Sequence, residues 1–472
     1  MSARFFFNLS PDTFTPANVD LPPGGYLLAP NNATPQLAEL ARQVRSEGLD
    51  LMADNGNFTL IGQVRAALSQ ESDALDERAD AVETLLGRSL RPGELPERLQ
   101  ADYFDLSVRA HQLARTLAGT GEASLAGQLA LDPTQVIGVE DITAACWLAL
   151  DLERTYTGRR RRDWRRMNTT VARRAVDRIT TLPNDLASHY YPVASAESYN
   201  TAHDAGAVFA EHGLTRISMG FGAYMADANY TDHVIIGRRR IDFAGRLPNR
   251  YTRTVLAARG FWDGYRSRAG HAPRAFHFLG LGAPIMLPLV ALASGGGTAL
   301  SFDATSPIKD AVRDGVLYVT TPAYLKIRIR KSAGWLASDP DRVWDCPCPF
   351  CTTFTKRFPF TYSLGHAWRH AHPDQDVTAA DLRPDGALYD AYPLFSEPPS
   401  GPRRDAVDHA RIGHNHWALE QILSAIRASA DAGTLHAHVA AVVAAYVPTT
   451  SRPFAEAVTH GLRFATDELG EA

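Results

Sequence analysis

Cysteine is scarce in this chain, with four among 472 residues. That excludes the densely cross-linked scaffold of a small secreted domain. Also missing is any long apolar run. The most hydrophobic segment, residues 283–293, is interrupted by proline and followed by Ser-Gly-Gly-Gly, whereas a membrane-spanning helix needs about 20 apolar residues. The opening MSARFFFNLSPDTF has too short an apolar stretch, met too soon by proline and aspartate, for a secretory leader. The expectation is a cytoplasmic protein without a membrane partner. Neither sign of charge dominates, since 48 Lys+Arg face 52 Asp+Glu for a net charge of −4, so nothing global marks a nucleic-acid binder. No GxGxxG fingerprint follows the first strand, which argues against a dinucleotide-binding doubly wound sheet.

What is present reads as an ordinary globular chain, 45% hydrophobic and 21% charged. Short apolar runs end in acidic, glycine or small polar residues: GLDLMADNGNF, TQVIGVEDIT, TRISMGFGAYM, RAFHFLGLGAP and ALSFDATSPI. Between them lie helix-like windows such as residues 73–86 and 141–156. Repeated strand–helix alternation predicts an α/β fold with a parallel sheet. A (β/α)8 TIM barrel is favoured, with functional residues at the C-terminal strand ends. The expected organisation is a barrel domain over residues 1–340 carrying an Arg-rich insertion near 157–174. A subdomain over 341–430 contains an insertion loop at 373–404, and a helical segment covers 431–472.

Charge is unevenly placed. TGRRRRDWRRMNTTVARR, residues 157–174, packs eight arginines around one aspartate, with smaller runs GRRR at 237–240 and KIRIRK at 326–331. Such clustering fits either a solvated helix face or a phosphate-binding face. Cysteines are just as concentrated: three of the four fall in DCPCPFC, residues 345–351, with the spacing C-x-C-x-x-C. Histidines follow at 366, 370, 372, 409, 414 and 416. In a reducing compartment a metal site outranks a disulfide, and three thiolates with one imidazole form a common structural zinc set. The alternative is a redox or merely buried cluster. Cys146, in AACWLAL, reads as core.

Taken in order, these motifs resemble the tRNA-guanine transglycosylase superfamily over roughly residues 45–430. ADNGNF (53–58) resembles the family's DSGGF motif, SMGFGA (218–223) its glycine-rich loop, FLGLGAP (278–284) its MGVG segment and SFDATSPIK (301–309) its FDCVxPTR motif. The passage LKIRIRKSAGWLASDPDRVWDCPCPFC then leads into the cysteines with similar spacing. The resemblance implies a TIM barrel with an inserted zinc-binding subdomain. It implies Asp303 as nucleophile, Asp54 as general acid/base, and Phe58 and Leu279 as the faces that sandwich a base. Gly220 would present backbone to the base carbonyl, Gly280 would be a further substrate-binding residue, and Glu140 or Asp141 would read the base. The metal set it implies is Cys346, Cys348 and Cys351 with His414, from the His-Asn start of GHNHWALEQILSAIR. His370 or His372 would give a shorter gap, and His416 would then be a helix-face residue.

The departures carry information too. The second glycine and the glutamine of DSGGFQ are missing, PVASAES (192–198) stands where the family has VQGG, and the arginine stretch is extra. The resemblance is therefore closest to the bacterial and phage DNA 7-deazaguanine transglycosylases, which exchange guanine for 7-cyano-7-deazaguanine. It implies DNA as partner, a 7-deazaguanine base as second substrate, and possible accessory DNA-modification proteins. Arg159, Arg160, Arg161, Arg162, Arg165 and Arg166 would then meet phosphates. The alternatives are a tRNA-guanine transglycosylase and a non-catalytic zinc subunit that binds nucleic acid.

Overall fold

The computed structural model describes residues 1–11, 13–14, 24–88, 94–118, 121–138, 158–194, 198–221, 230–313, 315–328, 346–357 and 400–466, with isolated residues between these spans. Thirteen strands are described: β1 (Ala3–Asn8), β2 (Gly25–Leu28), β3 (Leu51–Ala53), β4 (Gln135–Ile137), β5 (Tyr190–Tyr191), β6 (Val193–Ala194), β7 (Arg216–Gly220), β8 (Tyr230–Ile236), β9 (Arg239–Pro248), β10 (Ala275–Leu279), β11 (Ala299–Asp303), β12 (Val316–Tyr318) and β13 (Lys326–Arg328). Nine of them form one sheet in the order β5-β4-β3-β2-β1-β11-β10-β7-β6. Every pairing in it is parallel. The two end strands, β5 and β6, are separated only by Pro192. The sheet thus curls until its ends almost meet, giving a nearly closed, barrel-like form. Proline supplies no N–H to a ladder, and its carbonyl instead accepts from Ser218 N at 2.9 Å.

Alternation along the strands explains the closure. Phe5, Phe7, Tyr26, Leu28, Leu51, Ala53, Ile217, Phe276, Phe278 and Phe302 belong to the large core that also takes in the outer helices. Their neighbours Phe6, Leu27, Met52, Ile137, Tyr191 and Val193 form a separate core, drawn from strands at both ends of the sheet order. A parallel strand buried on both faces reads as a continuous apolar run, as ARFFFN does. Each large side chain so buried contributes roughly 2 kcal/mol. The five apolar runs picked out in the sequence contain β3, β4, β7, β10 and β11. β1, β2 and the broken β5/β6 pair were not among them.

Three additions stand outside the sheet. A helical excursion between β3 and β4 includes the helices Asn57–Leu86 and Glu97–Ala118, which share their own core with Ile142, Cys146 and Leu150. Cys146 is thus a core residue, as expected. An antiparallel ribbon, β8–β9, is inserted between β7 and the helix Asn249–Ala269. A small core gathers Leu317, Ile327, Cys348, Phe350, Cys351, Phe354 and Val407 around the cysteine cluster. No helix among the described residues is long and apolar enough to cross a membrane.

Candidate active site and metal centre

The C-terminal strand ends carry the two aspartates. Asp54 directly follows β3, its amide donating to Leu28 O at 3.0 Å so that it extends the ladder by one residue. The turn behind it is fixed by Asn55. Asn55 N donates to Asp54 Oδ1 at 2.8 Å, Asn55 Nδ2 to Gly138 O at 2.7 Å, and Asn57 N to Asn55 Oδ1 at 3.0 Å. The buried Gln128 amide clamps β3 to β4 beneath this turn, donating to Ala53 O at 3.3 Å and Ile137 O at 2.8 Å. Asp303 is the last residue of β11 and is buried. One of its oxygens, Oδ1, accepts from Gly280 N at 3.1 Å and lies 3.1 Å from His277 Nε2. His277 Nδ1 in turn lies 2.9 Å from Ser301 Oγ.

The two carboxyls feel each other. Burial, and then the negative charge of Asp303, raise the Asp54 pKa to about 7, against the opposing pull of the Asn55 and Gly56 amides. A carboxyl poised there is able both to donate and to accept a proton near neutrality. The other accepts a hydrogen bond from a backbone amide and faces an imidazole.

Of the residues expected to surround a substrate, Phe58, Gly220, Leu279 and Gly280 are described, and Gly280 meets Asp303 directly. Phe58 opens the helix Asn57–Leu86 and is 60% exposed. Lys309 Nζ, from the helix Ser306–Val312 that follows Asp303, stands 5.7 Å from its ring centroid. Gly220 and Leu279 are register partners at the ends of β7 and β10. Gly280 has a φ of +75°, a conformation that only glycine adopts without strain, and this turns its amide back onto Asp303. Glu140 and Asp141 lie outside the described residues, as do the side chains of Arg159, Arg160, Arg161, Arg162, Arg165 and Arg166 on the helix Gly158–Thr180. GRRR forms the exposed tip of the β8–β9 ribbon. That tip is pinned to the start of the helix Tyr199–Glu211, because Asn200 Nδ2 donates to Gly237 O at 2.9 Å and Gly237 N to Asn200 Oδ1 at 2.8 Å. Since this helix follows β6, the arginine tip sits on the rim that bears the aspartates.

The cysteine–histidine cluster is compact. The ligand atoms of Cys346, Cys348, Cys351 and His414 all lie within 4.8 Å of one another. His414 Nδ1 stands 3.3, 3.6 and 3.6 Å from the three sulfurs in turn. Bond lengths of about 2.3 Å to sulfur and 2.0 Å to nitrogen imply an S···N separation of about 3.5 Å across a tetrahedral zinc. The set therefore fits zinc. His414 Nε2 lies 2.8 Å from Tyr318 O, which makes Nε2 the protonated nitrogen and turns the lone pair of Nδ1 on the sulfurs. Gly413 allows the docking, since a Cβ there would lie 2.1 Å from the Phe350 ring.

His414 is thus the histidine that joins the cluster. His372 does not, and His370 lies outside the described residues. His416 occupies the helix face packed on β1, its ring 4.2 Å from that of Phe7, and burial pushes its pKa down to about 3. Asn415, between them, donates to Pro307 O and Val316 O at 3.1 and 3.0 Å and accepts from Tyr318 N at 3.0 Å. The helix Pro402–Asp431 is thereby tied to the segment that leaves Asp303.

Sequence reasoning missed His277 and Ser301. The available signal was a polar residue at alternate positions of otherwise apolar strands, AFHFL and ALSFD. In comparisons with known proteins, the chain matches no protein-family model and no curated protein.

Proposed function

We propose that this protein is a base-exchange transglycosylase that replaces guanine in DNA with a 7-deazaguanine. The carrying observation is the pair of aspartates from β3 and β11, one held near pH 7 by burial and by the charge of the other. The motif order of the sequence gives this pair its chemistry. The barrel-like sheet is read as a (β/α)8 barrel in which β5 and β6 are one strand interrupted at Pro192, so that both carboxyls stand at the catalytic mouth.

In this reading Asp303 attacks the anomeric carbon of a deoxyguanosine turned out of the duplex. The glycosidic electrons leave with the base, which takes the proton of Asp54. The sugar, held as an ester of Asp303, keeps its place in the strand. The incoming base then attacks the same carbon, returns its proton to Asp54 and releases the Asp303 carboxylate, so configuration is retained. Phe58 and Leu279 enclose the base, and Gly220 offers backbone at its edge. Arginines of the ribbon tip and of the helix Gly158–Thr180 supply phosphate contacts, with affinity that falls steeply as salt rises. The cluster of Cys346, Cys348, Cys351 and His414 holds zinc, whose part is to staple the late segment to the barrel. Four protein ligands leave no open position for a substrate. A cytoplasmic setting, in which the thiols stay reduced, belongs to the same reading.

Incorporation of labelled guanine into plasmid DNA and into tRNA tests it. The expected result is incorporation into DNA by the wild-type protein and none by Asp303→Asn. Labelling confined to tRNA moves the substrate to the alternative polymer, and labelling of neither leaves a non-catalytic nucleic-acid-binding subunit.

A further inference from the structure

The inner core of Phe6, Leu27, Met52, Ile137, Tyr191 and Val193 borders a buried imidazole, that of His277. His277 is 0% exposed and meets Phe6 and Tyr191 edge-on at centroid distances of 5.9 and 6.4 Å. A polar ring in such a place costs stability unless both nitrogens are used. They are: Nε2 faces Asp303 and Nδ1 faces Ser301. Residue 277 pairs with Ser301 in the β10–β11 register, and Asp303 lies two residues further along the same face.

We propose that His277 is a positioning residue that fixes the Asp303 carboxylate and presents its Oδ2 to the sugar. This rests on the reading of Asp303 as nucleophile. The hydrogen-bond pattern follows from donor and acceptor rules. An ionised carboxylate only accepts, so Nε2 carries the proton and donates to Oδ1 at 3.1 Å. Nδ1 is then a bare acceptor, and the Ser301 hydroxyl donates to it across 2.9 Å. Gly280 N gives Oδ1 its second donor at 3.1 Å. Among the described residues both donors to Asp303 fall on Oδ1, which leaves the lone pairs of Oδ2 for the anomeric carbon. When the C1′–Oδ2 bond forms and the C1′–N bond breaks, Oδ1 becomes the ester carbonyl. When the incoming base reverses the step, the same two donors receive the charge of the departing carboxylate. Ser301 acts one place further back, by holding the imidazole in the tautomer that donates to Asp303.

Two measurements test this. The first is the rate of covalent adduct formation and the steady-state constants of His277→Phe, His277→Gln and Ser301→Ala. His277→Phe is expected to lose about a hundredfold in kcat with KM for guanine unchanged, the size of effect seen when one donor to a developing charge is removed. His277→Gln, whose amide can reach the same oxygen, should recover most of that loss. Wild-type kcat in His277→Phe, or a Gln variant no better than Phe, overturns the proposal. If exchange survives in Asp303→Asn, the nucleophile reading itself fails; an inert Asp303→Asn beside a fully active His277→Phe removes only the role of His277. The second measurement needs no activity and no foldable variant. Nitrogen-15 NMR of the wild-type protein should find His277 as the Nε2–H tautomer, and an Nδ1–H tautomer overturns the proposal.

Discussion

The cysteine cluster and the aspartate pair are built in opposite ways. Three ligands of the first come from six consecutive positions, 346–351, and the fourth from a single helix. The second draws on β3, β10 and β11, with supporting groups from β4 and from the turn after β3. The three thiols of the first cluster are therefore local in sequence, and only His414 is brought in from a distance. The second exists only once the sheet has curled. The lesson is that ligands packed into one turn are defined by spacing, whereas groups assembled at strand ends are defined by register.

The predictions probe that contrast. The largest effect belongs to the assembled site. Asp303→Asn, which preserves shape and hydrogen-bonding capacity, should lower exchange by at least about a thousandfold. Its thermal unfolding should stay close to wild type. Cys348→Ser comes next, because removing one ligand from a closed set releases the metal and its folding energy, about 3 kcal/mol or more. Metal analysis and urea unfolding read it directly. Undiminished zinc in that variant means the cluster is not a metal site.

The third effect is a pH dependence. The folded-state pKa of Asp54 lies near 7, above its unfolded value of 3.8. The folded protein therefore holds a proton that the unfolded chain has lost between about pH 4 and 7. Stability falls as pH rises through that window, by up to about 4 kcal/mol in all. Asp54→Asn should accordingly unfold later than wild type at pH 8 and no later at pH 4. Because burial is the larger cause and the Asp303 charge the second, Asp303→Asn should lower the Asp54 pKa without returning it to 3.8. Carbon-13 titration of the carboxyl measures this, and an unchanged pKa means the two groups are not coupled. The smallest effect is at Phe58. Its ring is mostly exposed, so Phe58→Ala should leave unfolding within about 0.5 kcal/mol of wild type. Loss of base stacking should raise KM for the base about tenfold or more.

Legibility followed the same division. The three cysteines could be named from spacing, because their neighbours in sequence are their neighbours in space, whereas His414, 63 residues beyond Cys351, was reached only through the family's His-Asn segment. Asp54 and Asp303 were found through motif order, since an aspartate after a strand is otherwise a common cap. His277 stayed hidden: its partners are 24 and 26 residues away and become neighbours only through the β10–β11 register. β1 was read only as an apolar stretch too short for a leader, although it occupies the middle of the sheet order. The ribbon β8–β9 was invisible because its alternation is broken by the arginines of its own turn.

The central claim is that Asp303 forms the covalent bond to the sugar. Wild-type protein, incubated with duplex DNA and guanine and then denatured, should carry DNA on a denaturing gel at the mass of a one-to-one ester, and Asp303→Asn should carry none. An adduct of equal yield in Asp303→Asn, or base exchange by that variant at the wild-type rate, contradicts it.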